Sequence, residues 1–295
     1  LTMAAVRAAG LTACGSSAAA PAAESTAATA DAAGAPDGDG DPTTLTVAME
    51  CAYAPYNWTQ SDDSNGAVAI IGHHFSNLCP YAYGYDVMMA KKIGEALGQQ
   101  VQIVKLDWDS LIPAVMSGDV DCVIAGQSIT AERAAQVDFS NPYYYASIVT
   151  LTKKDSAYAN AASVADLAGA TATSQLGTIW YDTCLPQIES ANILPAQETA
   201  PAMLVALNSG ACDIVVTDRP TAQAALVAYP DFTLLDFGGG DNDFKVSEED
   251  INIGISMKKG NTALQSAINE VLSTMTADDY NAMMDDAISV QPLSK

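Results

Sequence analysis

Two loops in this sequence carry charged side chains at points where an open α/β fold would place chemistry. The first reads Ala125-Gly126-Gln127-Ser128-Ile129-Thr130-Ala131-Glu132-Arg133 and follows the apolar run 122–125. Thr130 is suited to cap a helix, which puts Arg133 in the first turn. A cation there opposes the helix dipole, and an anion seated at the same helix end relieves that cost. The ordinary alternative is a solvated Arg133 paired with Glu132 or Asp138. The second loop, Thr217-Asp218-Arg219-Pro220, follows another apolar run, and Pro220 suits a first helical position. Asp218 is then either the cap of that helix or a carboxylate at a cleft mouth able to hold an ammonium. In open α/β sheets ligands bind outside the carboxyl ends of strands, which is where both loops would lie.

The surrounding elements alternate. Residues 45–50 read as a strand. Asp86 reads as the cap of a helix carrying Val87, Ala90, Ile93 and Leu97, stopped by Gly98. A strand follows over 101–106. Asp109 then caps a helix with Leu111, Ile112, Val115 and Met116, closed by Ser117-Gly118. Residues 111–126 and 203–218 repeat one pattern at an offset of 92, with Ala114/Ala206, Ser117-Gly118/Ser209-Gly210, Asp121/Asp213 and Val123/Val215 coinciding. The runs 148–154 and 253–259 are both strand-like and both end in Lys-Lys. As two crossings they make the second unit an insertion of about 100 residues between the halves of the first. The predicted fold class is α/β with two lobes, each a mostly parallel sheet flanked by helices, joined by two hinge crossings near 145–152 and 248–255. Lobe 1 is 45–148 with 252–295, and lobe 2 is 149–251.

Composition removes several functions. Twelve Lys+Arg against 35 Asp+Glu give −23 over 295 residues, which excludes a general nucleic-acid binder and a basic membrane-surface patch. Residues 1–44 contain five acids and one base, so −19 of that charge belongs to 45–295. No run of 18 apolar residues occurs to span a membrane. Residues 15–44, rich in Ala, Pro, Ser, Thr, Gly and Asp, read as a flexible tether. Leu11-Thr12-Ala13-Cys14 resembles the lipobox of bacterial lipoproteins. That resemblance makes 1–14 a signal peptide and Cys14 the lipidated residue, although a basic stretch is missing before the apolar run and Arg7 interrupts it. Of the other cysteines, Cys122 reads as a small buried hydrophobe, and Cys51 with Cys79 is the pair considered for a bridge. His73, His74 and Cys79 lack ligand spacing, so neither metal nor cofactor is expected.

From about 45 to 285 the chain resembles the family 3 extracellular solute-binding proteins, amino-acid receptors of ABC importers. The motifs are Glu50-Cys51-Ala52-Tyr53-Ala54-Pro55-Tyr56, Gly84-Tyr85-Asp86-Val87, Trp108-Asp109-Ser110-Leu111-Ile112-Pro113, the Ser128–Arg133 loop, Asp138-Phe139-Ser140-Asn141-Pro142-Tyr143-Tyr144 and Gly177-Thr178. The resemblance implies a type II periplasmic-binding-protein clamp. In it Arg133 grips the ligand carboxylate, Gly126 and Ser128 offer loop hydrogen bonds, and Thr178 faces the carboxylate from lobe 2. Asp218 takes the ammonium, Tyr53 and Trp108 pack on the ligand side chain, and Glu50 is a nearby acid. Trp58 is a further ligand-binding candidate, an aromatic that with those two would favour an apolar or thioether side chain. Ile179 stands where a small hydroxyl residue is common, and the segment 59–84 is longer than usual. The implied partners are an amino acid and an ABC permease, for a monomeric receptor lipid-anchored on the outer face of the cell membrane. The alternative is an enzyme resembling periplasmic cyclohexadienyl or arogenate dehydratases, with Glu50 as general acid.

Overall fold

The computed structural model describes residues 42–71 and 80–292. The chain builds two sheets. The larger runs, edge to edge, through Ala52–Tyr53, Asn57–Gln60, Tyr81–Tyr83, Val68–Ile71, Gln100–Lys105, Thr44–Met49, Cys122–Val123, Ser256–Met257 and Asp138–Phe139. The smaller runs Asn192–Ile193, Thr171–Thr173, Ile214–Asp218, Ile148–Lys153 and Phe232–Leu235. A two-stranded ribbon of Tyr144–Tyr145 with Asn252–Ile253 lies where the chain passes between them. Residues 143–147 and 251–255 thus form paired crossings, next to the strands that end in Lys-Lys.

Thr44–Met49 is buried at every position and pairs in parallel with Gln100–Lys105 and Cys122–Val123, as an apolar run covered on both faces should. Among the described strands, the other parallel pairs are Val68–Ile71 with Gln100–Lys105, and Thr171–Thr173 with its two neighbours. The other pairings are antiparallel, so "mostly parallel" does not describe either sheet. Ser256–Met257 enters the larger sheet from the smaller one and runs against Cys122–Val123. Ile148–Lys153 enters the smaller sheet from the larger and runs against Ile214–Asp218. Apolar runs reveal burial, not direction.

The repeat has a physical basis. Helix Leu111–Ser117 ends on left-handed Gly118, and helix Ala200–Ser209 ends on left-handed Gly210. Asp121 then accepts from Thr46 N at 2.8 Å while its own N–H donates to Thr46 O. Asp213 makes the same pair of bonds to Thr171, with 2.8 Å from Thr171 N to its carboxylate. Each aspartate pins the turn after its helix to a neighbouring strand, Thr44–Met49 in the larger sheet and Thr171–Thr173 in the smaller.

Two predicted caps are displaced. Helix Tyr85–Leu97 has Gly84, at φ 127, as its N-cap, and Asp86 sits inside the first turn, fully buried. The N–H groups of Tyr85 and Asp86 donate to the carbonyls of Pro55 and Tyr56, so the helix start needs no side-chain cap. Asp109 lies in a 3₁₀ turn, Trp108–Ser110, and the α-helix starts at Leu111. The closing helices Thr262–Ser273 and Ala277–Val290 are present, the second with a Thr276/Asp279 capping box. Cys122, Cys184 and Cys212 are buried thiols. Cys14, the tether up to residue 41, His73, His74 and Cys79 lie outside the described residues. Among the described residues no helix is long and apolar enough to cross a membrane, and no group of His, Cys, Asp or Glu is arranged to hold a metal.

Candidate functional site

Arg133 sits on the short helix Ala131–Gln136, whose cap Thr130 accepts from Arg133 N at 3.3 Å. Its guanidinium does not pair with Glu132 or Asp138. Nη1 donates to Ser128 O and Nη2 to Gly177 O, both at 3.0 Å, and the cation lies 5.4 Å from the Trp108 ring centroid. Trp108 Nε1 donates to the same Gly177 carbonyl at 3.2 Å. Burial lowers the Arg133 pKa, with Glu132 and Asp182 opposing that shift. Ser128 and Arg133 follow a strand of the larger sheet and Gly177 follows one of the smaller, so the two bonds to Gly177 O cross the cleft.

Asp218 ends the strand Ile214–Asp218 and caps helix Arg219–Ala228, accepting from Thr221 N at 2.9 Å. Its other oxygen accepts from the Thr221 hydroxyl at 2.9 Å and from the Tyr53 hydroxyl, the latter across the cleft. The carboxylate is fully buried, which raises its pKa, and the Thr221 and Tyr53 bonds pull it back. The cap and a cross-cleft contact therefore coexist in one side chain.

Glu50 leaves the end of Thr44–Met49 and is 4% exposed. Gln175 Nε2 donates to its two oxygens at 3.3 and 3.1 Å, again from the smaller-sheet side. Burial pushes the Glu50 carboxyl up to about 7, against the pull of Gln175 and Lys105. Thr178 Oγ1 donates to Gln175 O at 2.7 Å and holds the tight turn at Gly177.

Tyr53, Trp108, Gly126, Ser128, Arg133 and Thr178 line one small cavity of about 10 Å³, room for about one water. Gly126 has φ 63, and a Cβ there would lie 2.8 Å from the Tyr53 ring, so glycine lets the loop approach that ring. Gln175 and Trp180, which sequence reasoning missed, complete the lining along with Ile179. Gln175 sits just past the strand Thr171–Thr173. The rule that singled out the exits before Arg133 and Asp218, applied to this strand, would have found it.

Three expected residues are not in that lining. Glu50 borders a neighbouring cavity of about 330 Å³ beyond Trp108, together with Asp107, Asp109 and Glu198. Trp58 lines a separate, more apolar cavity of about 220 Å³ with Ala200 and Leu204, and its Nε1 donates to Gln60. Asp218 lies behind Tyr53.

A two-sheet α/β body with charged groups converging on an inter-sheet cleft from strand exits defines a ligand-binding clamp. The profile of the bacterial extracellular solute-binding proteins, family 3, matches residues 80–287, and the chain belongs to this family. The family is one of solute-binding proteins. The arginine-binding extracellular protein ArtP of Bacillus subtilis (strain 168) is 42% identical over 96 residues, 32% of this chain and 36% of that protein. The chain's match thus spans about a third of that relative's length. The L-cystine-binding protein TcyJ of Escherichia coli (strain K12) is 26% identical over 235 residues, 80% of this chain and 78% of that protein. The crystal structure of AbpA, an amino acid ABC transporter substrate-binding protein from Streptococcus pneumoniae Canada MDR_19A bound to L-arginine, has the same fold. Its TM-score is 0.68 at 24% identity, covering 84% of this chain and 95% of that one.

Proposed function

We propose that this chain is an extracytoplasmic receptor that closes two lobes on a polar amino acid and delivers it to an ABC importer. The observation that carries the reading is the set of cross-cleft bonds made by Arg133 and by Asp218. An α-amino acid holds a carboxylate and an ammonium on one carbon. Its carboxylate replaces the Ser128 and Gly177 carbonyls as the Arg133 acceptor, with Gly126, Ser128 and Thr178 around it. Its ammonium replaces the Tyr53 hydroxyl as a donor to Asp218. Each exchange swaps a neutral partner for a charged one, which strengthens the bond. Tyr53 and Trp108 form walls of the chamber with Gln175, and Glu50 stands behind Gln175, bonded to it, on the neighbouring cavity.

Because the chamber holds about one water, admission requires the lobes, 45–148 with 252–295 and 149–251, to part. The ribbon of Tyr144–Tyr145 and Asn252–Ile253 is the hinge. The ligands for which those relatives are named, arginine and L-cystine, are both polar amino acids, in keeping with this class. The receptor is a monomer, lipid-anchored through Cys14 on the outer face of the bacterial cell membrane, with 15–44 as tether. A thermal-shift screen over the twenty amino acids tests the reading. A ligand at 100 times its Kd adds about 2.7 kcal/mol, so at least one polar amino acid should raise the midpoint clearly. A flat screen across all twenty would contradict it.

A further inference from the structure

Asp86 is fully buried inside the first turn of helix Tyr85–Leu97 and lines none of the cleft cavities described above. Its two oxygens each receive one side-chain donor. Tyr143 OH donates to Oδ1 at 2.6 Å, and Asn57 Nδ2 donates to Oδ2 at 2.7 Å. Each donor is in turn an acceptor. Asn57 Oδ1 accepts from Cys51 N at 2.7 Å, and the Tyr143 hydroxyl accepts from Gly126 N at 3.1 Å. Two lines of hydrogen bonds therefore start at backbone N–H groups and end on one carboxylate.

The two N–H groups belong to matched positions. Cys51 directly follows Glu50 and has φ 54, a left-handed conformation that costs a non-glycine residue energy. Gly126 opens the loop that carries Ser128 and Arg133 and has φ 63. Both are sharp turns at strand exits of the larger sheet. Tyr143 is also tied to the hinge, since its N–H donates to Ile253 O at 2.9 Å and its carbonyl accepts from Tyr85 OH at 2.6 Å.

We propose that Asp86 is a positioning residue that fixes both cleft turns, one through Asn57 and the other through Tyr143, in the geometry that receives the ligand. The proposal rests on the reading of the cleft as the amino-acid site. The chemistry at position 86 is specific. The spot needs two acceptors and no donor, which an ionised carboxylate supplies and an amide does not. In Asp86→Asn the new amide either meets the Asn57 amide donor to donor or donates to Tyr143 and leaves that hydroxyl proton without an acceptor. The exchange Asn57→Asp/Asp86→Asn repairs this. Asp at 57 accepts from Cys51 N and from the new Asn at 86, whose oxygen accepts from Tyr143 OH, so every bond survives with the charge moved one residue.

The test compares the full chain, Asp86→Asn, the exchange variant and Tyr143→Phe by two measurements. Amide hydrogen exchange needs no ligand. In Asp86→Asn, Cys51 N–H or Gly126 N–H should exchange at least tenfold faster, while Val47 and Val215 in the sheet centres stay protected. Tyr143→Phe should expose Gly126 and spare Cys51. Calorimetry with the amino acid giving the largest thermal shift should show at least tenfold weaker binding in Asp86→Asn and recovery to within threefold in the exchange variant. Wild-type protection and affinity in Asp86→Asn overturns the proposal, as does an exchange variant that is folded yet still weak. Failure of the functional reading looks different, because wild type then binds no amino acid while the amide pattern remains readable. In that outcome, amides that respond as expected uphold the turn-fixing role, and unresponsive amides refute it.

Discussion

Replacing Glu50 by Gln should make the protein more stable above neutral pH and leave it nearly unchanged in acid. Burial raises the Glu50 carboxyl from its ordinary 4.5 to about 7, the Gln175 bond and Lys105 offset part of that, and Asp107 adds to it. The folded chain thus keeps a proton that the unfolded chain gives up between those values. The stability contributed by Glu50 is complete below pH 4.5 and is lost as pH rises through about 7. At about 1.4 kcal/mol for each tenfold in proton affinity, the loss across this window is about 3 kcal/mol. A glutamine does not titrate, and its carbonyl still accepts from Gln175 Nε2. For a folded body of this size that corresponds to roughly 5–10 °C in Tm. Calorimetric scans of both proteins at pH 4.5, 6 and 8 measure it. The buried Asp86 carboxyl, raised to about 6, adds a slope of the same sign that is common to both proteins, so the difference isolates Glu50. Parallel pH profiles for wild type and Glu50→Gln would refute the argument that burial protonates this group.

Two other outcomes follow from contacts in the cleft, and a third from the lipobox resemblance. Gly126→Ala should weaken ligand binding at least tenfold by calorimetry and lower stability by about 1–3 kcal/mol, because it strains a positive φ and drives a methyl into the Tyr53 ring. Tyr53→Phe removes the cross-cleft donor to Asp218, so small-angle scattering without ligand should give a larger radius of gyration than wild type. Saturating ligand should return both proteins to one compact value. Cys14→Ala should release the protein from cells or leave it unprocessed, as followed by membrane fractionation, since the lipid added at Cys14 is the proposed anchor.

The parts of the site legible in sequence are those whose chemistry is local. Thr130 announces its cap by position, and the offset of 92 between Asp121 and Asp213 reports a bond that each makes to the start of a neighbouring strand in its own sheet. Asp218 was legible as a cap, and the bond it accepts from Tyr53 across the cleft is one the sequence does not announce. Asp86 misled, because an aspartate before an apolar helix looks like a cap. Here the carbonyls of Pro55 and Tyr56 take the helix N–H groups, a contact between segments about 30 residues apart that no local pattern encodes. Trp58 misled for a related reason. It lies just past the Glu50–Tyr56 motif, but its side chain faces a different cavity, and only register decides the face. Gln175 was missed because a lone glutamine carries no charge to draw notice, although its strand exit was in view. Strand direction was hidden wherever the chain crossed between the sheets.

The most direct test of the account is a calorimetric titration of wild type, Arg133→Ala and Asp218→Ala with the amino acid found in the thermal screen, and of wild type with its methyl ester and N-acetyl derivative. Leaving one ligand charge buried and unpaired should cost roughly 2–5 kcal/mol of binding, so each variant should bind at least tenfold more weakly while remaining folded. Arg133→Lys should recover only part of the loss, since an ammonium makes no forked contact. Both blocked ligands should fail against wild type. Wild-type affinity in either alanine variant, or tight binding of either derivative, would contradict the claim that Arg133 and Asp218 together read the two charges of an amino acid.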